Sequence, residues 1–136
     1  MSTLSTHALD TASGKPAEGL PLLLEKQSDA EAWQQYQNNR LQGTPTENST
    51  APSWQVLAQG QTNHDGRCPD LFATGENTLS PGIYRMSFDT HTYFANQEIQ
   101  GFYPRVEVIF EIHAEDEHYH VPLLISPFGF STYRGS

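Results

Sequence analysis

Cysteine is nearly absent: Cys68 is the one thiol in 136 residues. A single thiol closes no intrachain disulfide and gives a thiolate metal cluster no second ligand. With Pro69 after it and no adjacent histidine, it reads as a packing residue rather than a nucleophile. Basic residues are also scarce, seven Lys and Arg against sixteen Asp and Glu, for a formal charge of -9. That charge repels phosphate backbones and anionic lipid, and the few cations are scattered, so nucleic acid and membrane surfaces are excluded as partners. Long apolar runs are missing too. No segment approaches the roughly 18 apolar residues needed to span a bilayer. The opening Met1-Ser2-Thr3-Leu4-Ser5-Thr6-His7 places no positive region ahead of an apolar stretch. A soluble, intracellular chain is expected.

What is present suffices for one core. The hydrophobic fraction is 36%, with two Trp, six Tyr and seven Phe, and the length fits a single domain over 1–136, since halving it would leave two cores too small to stand alone. In Arg105–Ile112, Val106, Val108, Phe110 and Ile112 alternate with Arg105, Glu107 and Glu111, the pattern of a half-buried strand. His118–Ile125 puts Tyr119, Val121, Leu123 and Ile125 on one side and His118, His120, Pro122 and Leu124 on the other. Pro122 donates no ladder hydrogen bond, which predicts an edge strand or an interface there. Leu20–Lys26, Trp54–Gln59 and Gly82–Phe88 read as further strands. Thr90–Gln97 reads as one short helix, capped by Asp89 or Thr90 and ended before Gly101. Short strands with frequent turn signals predict an all-β antiparallel sandwich.

Residues 28–53 are polar and include Gln34-Gln35-Tyr36-Gln37-Asn38-Asn39, with little apolar surface to offset the entropy of ordering. The segment is expected to be a flexible insertion. Trp33 and Tyr36 docking as an isolated helical turn is the less favoured reading.

Chemistry-bearing residues fall in three clusters: Ser5-Thr6-His7, Asn63-His64-Asp65-Gly66-Arg67, and His118-Tyr119-His120 running on to Tyr133-Arg134-Gly135-Ser136. Singly, each has a plain explanation. His7 fits an exposed strand position, Asp65-Gly66 is a good turn, and His118-x-His120 fits a polar strand face. His118 and His120 could also chelate a metal with His7 as a third ligand, but that spacing is common and no carboxylate or cysteine stands beside them.

Taken together, the clusters resemble a known pattern. Leu4-Ser5-Thr6-His7-Ala8-Leu9-Asp10-Thr11-Ala12-Ser13-Gly14-Lys15-Pro16-Ala17 is similar to the opening signature of the 5-hydroxyisourate hydrolases of the transthyretin-like family. Asp65-Gly66-Arg67 resembles the second motif of that family, and the segment from His118 to Ser136 resembles its closing one. The resemblance covers both ends and most of the middle and leaves 28–53 without a counterpart. It implies a transthyretin-like sandwich of two four-stranded sheets with one short helix. It also implies a homotetramer whose sites lie in a channel between dimers.

The implied activity is hydrolysis of 5-hydroxyisourate to 2-oxo-4-hydroxy-4-carboxy-5-ureidoimidazoline in urate degradation, with His7, Arg67 and His120 catalytic. Substrate binding is assigned to His7, Arg67, His118, Tyr133, Arg134, Gly135 and Ser136. No cofactor and no metal is called for, and the expected partner is a small purine-derived molecule. The chemistry agrees with these residue types. Hydrolysis of a lactam needs a base near neutrality, for which the imidazole of His7 or of His120 serves. Arg67 offers a planar fork of donors for carbonyl and amide edges and for charge on the carbonyl oxygen. Ser136 would bring a hydroxyl and a terminal carboxylate able to orient a histidine or the attacking water. The expected compartment is cytoplasmic, with a peroxisomal one the alternative, since Arg134-Gly135-Ser136 is not a Ser-Lys-Leu type signal. Two other classes compete: a transthyretin-type carrier, which needs an apolar channel unlike this polar set, and an interaction module built on the insertion.

Overall fold

A computed structural model describes residues 3–43, 50–72, 79–113 and 117–135. Eight strands form two four-stranded sheets. The first, in the order β2-β1-β7-β8, contains β1 (Thr3–Asp10), β2 (Lys15–Pro16), β7 (His118–Ser126) and β8 (Gly129–Thr132). The second, in the order β4-β3-β5-β6, contains β3 (Pro21–Gln27), β4 (Trp54–Gln61), β5 (Gly82–Phe88) and β6 (Val106–Ile112). Alternation decides what faces inward. Leu4, Thr6, Ala8 and Asp10 of β1 and Tyr119, Val121, Leu123 and Ile125 of β7 are buried. They meet Leu22 and Leu24 of β3, Tyr84, Met86 and Phe88 of β5, and Val106 and Ile112 of β6. The opposite residues of β1 and β7 (Thr3, Ser5, His7, His118 and His120) therefore share the outer face of the first sheet.

The expected two-sheet sandwich is present, with three differences. First, β1 and β7 run parallel, Thr3 facing His118 and Asp10 facing Ile125. Strands this far apart in sequence are joined by no hairpin, so nothing local imposes antiparallel pairing. Second, β7 lies inside its sheet, not at an edge. Pro122 is accommodated because β8 pairs only up to Thr132, opposite Leu123, and the next bridge joins His120 to Gly135. The missing donor thus falls beside Tyr133, where the ladder is interrupted.

Third, the described residues form two α-helices rather than one. The expected one, α2 (Thr90–Ala95), is capped by Asp89, whose carboxylate accepts from the Thr92 amide at 3.0 Å and the Thr92 hydroxyl at 2.7 Å. The other, α1 (Ala30–Leu41), stands where a loop is expected. It buries no residue, which is why apolar periodicity gives no sign of it. Local interactions build it instead. Asp29 accepts from the Ala32 amide at 3.0 Å, Gln34–Asn38 and Gln35–Asn39 amide pairs each close at 3.2 Å, and Trp33 sets its edge on Trp54 of β4. Residues 44–49 of the insertion lie outside the described residues.

Candidate active site

The outer face of β1 and β7 assembles the first and last sequence clusters. The parallel register sets Thr3 beside His118, Ser5 beside His120 and His7 beside Pro122, so histidines from opposite ends of the sequence come to one surface. Arg67 joins them through a short bridge to His7. Its loop is built by Asn63, whose side-chain oxygen accepts from the amides of Asp65 (2.9 Å) and Arg67 (3.1 Å). The turn then docks on β1, with the Ala8 amide donating to the Gly66 carbonyl at 2.8 Å. Gly66 has a φ of +78°, and a Cβ there would lie 2.3 Å from the Ala8 oxygen. Glycine is thus required twice over, by backbone sign and by space.

Hydroxyls tie the histidines together. Ser5 Oγ lies 2.8 Å from His120 Nδ1 and 3.0 Å from His118 Nε2, and Thr3 Oγ1 lies 2.6 Å from His118 Nδ1. His120 Nε2 has no partner among the described residues. Burial holds the His120 pKa below its ordinary 6.5, and the charges of Arg67, His118 and His7 push it the same way. The ring therefore favours its neutral form more than an ordinary histidine does, with Nδ1 anchored and Nε2 unbonded among the described residues, as a general base requires.

The C-terminal segment closes over this ring. The Gly135 amide donates to the His120 carbonyl at 2.8 Å. A Cβ on residue 135 would stand 2.4 Å from His120 Cδ2, so the glycine lets the tail lie against the imidazole. Arg134 anchors the tail: its guanidinium pairs with Glu117 at 3.0 Å and lies 4.5 Å from the Tyr119 ring centroid. Tyr133 is exposed beside it, and Ser136 lies outside the described residues.

Two cavities flank the cluster. One of about 360 Å³ is lined by Thr3, Ser5, Asn63, Arg67 and His118, among others. The second, of about 340 Å³, is lined by His120, Thr132, Tyr133 and Arg134 together with Phe110 of the other sheet. A larger hollow on the second sheet contains none of the expected site residues; of its charges, Glu25 pairs with Arg85 at 2.9 Å and Arg105 with Glu107 at 3.0 Å. The structure thus brings together His7, Arg67, His118, His120 and Gly135. Sequence reasoning gave no role to Thr3 or Ser5, although their alternation with His7 at a period of two was the available signal.

A sandwich whose outer sheet face presents imidazoles, hydroxyls and a guanidinium defines a class of small β-proteins suited to a polar, planar ligand. Comparison with known proteins makes the class specific. The model of the HIUase/Transthyretin family matches residues 4–135, and the chain belongs to that family. It is 42% identical to the 5-hydroxyisourate hydrolase of Mus musculus, covering 99% of this chain and 96% of the mouse protein. Among solved structures it resembles Klebsiella pneumoniae 5-hydroxyisourate hydrolase (TM-score 0.71, 31% identity, 98% of this chain and 99% of that one). It also resembles sea bream transthyretin in complex with thyroxine (TM-score 0.75, 29% identity, 98% and 94%).

Proposed function

We propose that this protein is a 5-hydroxyisourate hydrolase that opens the cyclic amide of an oxidised purine by direct attack of water, in urate degradation. The observation that carries the reading is the convergence of His7, Arg67 and His120 on one sheet face, across β1, β7 and the loop between β4 and β5. His120 is the general base, because Ser5 holds Nδ1 and no described residue bonds Nε2. Arg67 orients the substrate and stabilises charge on the carbonyl oxygen. His7, bridged to Arg67 through the backbone, stands as the second imidazole at the reacting bond. In the reaction the carbonyl carbon gains the water oxygen and loses the ring nitrogen. One water proton ends on that nitrogen, and the other leaves as the new carboxylic acid ionises.

Gly135 and Tyr133 line the binding site, Arg134 holds the tail in place, and Ser136 and His118 complete the substrate contacts. The working form is a homotetramer with sites between dimers, supported by the exposed aromatic chain Phe102, Tyr103 and Phe130. Cytoplasmic residence, with the peroxisome as alternative, belongs to the same reading.

The test is the ultraviolet decay of freshly made 5-hydroxyisourate. The protein is expected to accelerate it, and His120→Gln and Arg67→Lys to lose about a hundredfold or more of that acceleration. Decay at the uncatalysed rate would sink the proposal. A carrier resembling the sea bream protein would instead bind an aromatic hormone and leave the decay unchanged.

A further inference from the structure

We infer that Ser5, His118 and Thr3 form a proton relay leading from His120 to the start of the β1–β7 pair, where His118 is exposed. The inference rests on the hydrolase reading above. Four groups stand in an unbroken chain, His120 Nδ1 to Ser5 Oγ at 2.8 Å, Ser5 Oγ to His118 Nε2 at 3.0 Å, and His118 Nδ1 to Thr3 Oγ1 at 2.6 Å. Every member both donates and accepts, which proton transfer along hydrogen bonds requires. The chain reaches solvent at His118, which is exposed, whereas His120, Ser5 and Thr3 are half-buried. Parallel pairing sets this geometry, because it repeats the same side-chain juxtaposition at each second residue: Ser5 beside His120, then Thr3 beside His118.

The proton accounting closes. At the start His120 carries its hydrogen on Nδ1 and donates it to Ser5, Ser5 donates to His118 Nε2, and His118 Nδ1–H donates to Thr3. When His120 Nε2 takes a proton from the attacking water, the Nδ1 proton passes to Ser5, the Ser5 proton to His118 and the His118 proton to Thr3. The Thr3 proton passes to solvent. His120 is again neutral, with its hydrogen on Nε2. When that hydrogen goes to the departing ring nitrogen, the relay runs inward and returns the Nδ1 proton, so the chain ends as it began. The gain is electrostatic: no imidazolium need persist on a half-buried ring near the Arg67 charge.

The experiment measures turnover of 5-hydroxyisourate against added imidazole for the wild type, Ser5→Ala and His118→Gln. Both variants are expected to lose about ten- to a hundredfold in kcat, with KM changed less than about twofold for Ser5→Ala and raised as well for His118→Gln, which also removes a substrate contact. Millimolar imidazole should restore kcat in each, as a diffusible substitute for the missing link, while the wild type ignores it. The double variant should be no slower than the worse single one. Undiminished kcat, a loss confined to KM, or a loss that imidazole does not restore overturns the relay. His118 is exposed, so His118→Gln decides the matter if Ser5→Ala does not fold. A wild type without turnover would overturn the hydrolase reading itself, a result separate from any of these.

Discussion

Gly135 and His120 show how narrowly the site is set at the scale of single residues. With 2.4 Å between a would-be Cβ and the imidazole, Gly135→Ala must displace either the tail or the ring. A shift of about 1 Å at a catalytic group costs on the order of a hundredfold, so kcat should fall by that order while the thermal midpoint stays close to that of the wild type. Full activity would show the tail contact to be slack. The ring's proton affinity gives a companion expectation. Burial, with the neighbouring charges, lowers the His120 pKa from 6.5, so the folded chain binds this proton less readily than the unfolded one. The associated stability is complete above pH 6.5 and is lost as the pH falls through the lower folded value. The acid limb of kcat/KM should accordingly lie below 6.5, and a limb above it would contradict the assignment of His120 as base. The histidines and Arg67 were legible in the sequence because their motifs are distinctive. Ser5 and Thr3 were not, since a hydroxyl on a strand is ordinary until the partner strand shows what it faces.

At the scale of elements, α1 and α2 are capped alike and differ in what they pack against. The α2 helix buries Thr90, Tyr93 and Phe94, whereas α1 buries nothing. The ends of the α1 insertion already touch, with Ser28 Oγ donating to the Ser53 carbonyl at 3.0 Å and Gln27 pairing with Trp54 across β3 and β4. Replacing residues 29–52 by an Asn-Gly turn should therefore leave a β3–β4 hairpin. Turnover is expected to stay within about twofold of the wild type, with stability changed by about 1 kcal/mol or less, because none of the described residues removed belongs to the core. Loss of activity in a folded deletion variant would place α1 in the site or its assembly, and an interaction module would show itself by loss of a partner instead. Polar composition hid this helix because a helix held by its cap and side-chain amide pairs lacks an apolar stripe. Pro122 misled for a related reason. A missing donor excludes pairing at one backbone position, and it says nothing of the rest of the strand.

For the whole molecule, the decisive expectation concerns assembly. Phe102, Tyr103 and Phe130 stand exposed in successive edge-to-face contacts, with ring centroids 4.9 and 5.1 Å apart, as is common for a surface that is covered in the working protein. Phe130→Asp should shift the protein from tetramer to smaller species in sedimentation velocity, with specific activity falling on dilution. A tetramer undisturbed by that charge would remove this patch from the interface. The sequence by itself determined the sandwich class, the positions of β3, β4, β5, β6 and β7 and the chemical types in the three clusters, though not β2 or β8, because alternation and motif identity are properties of neighbouring residues. Only the tertiary structure decided the parallel pairing of β1 with β7, and hence that Ser5 lies between two imidazoles. Which strands lie side by side is settled by burial of both sheets against one core, and no local pattern records it.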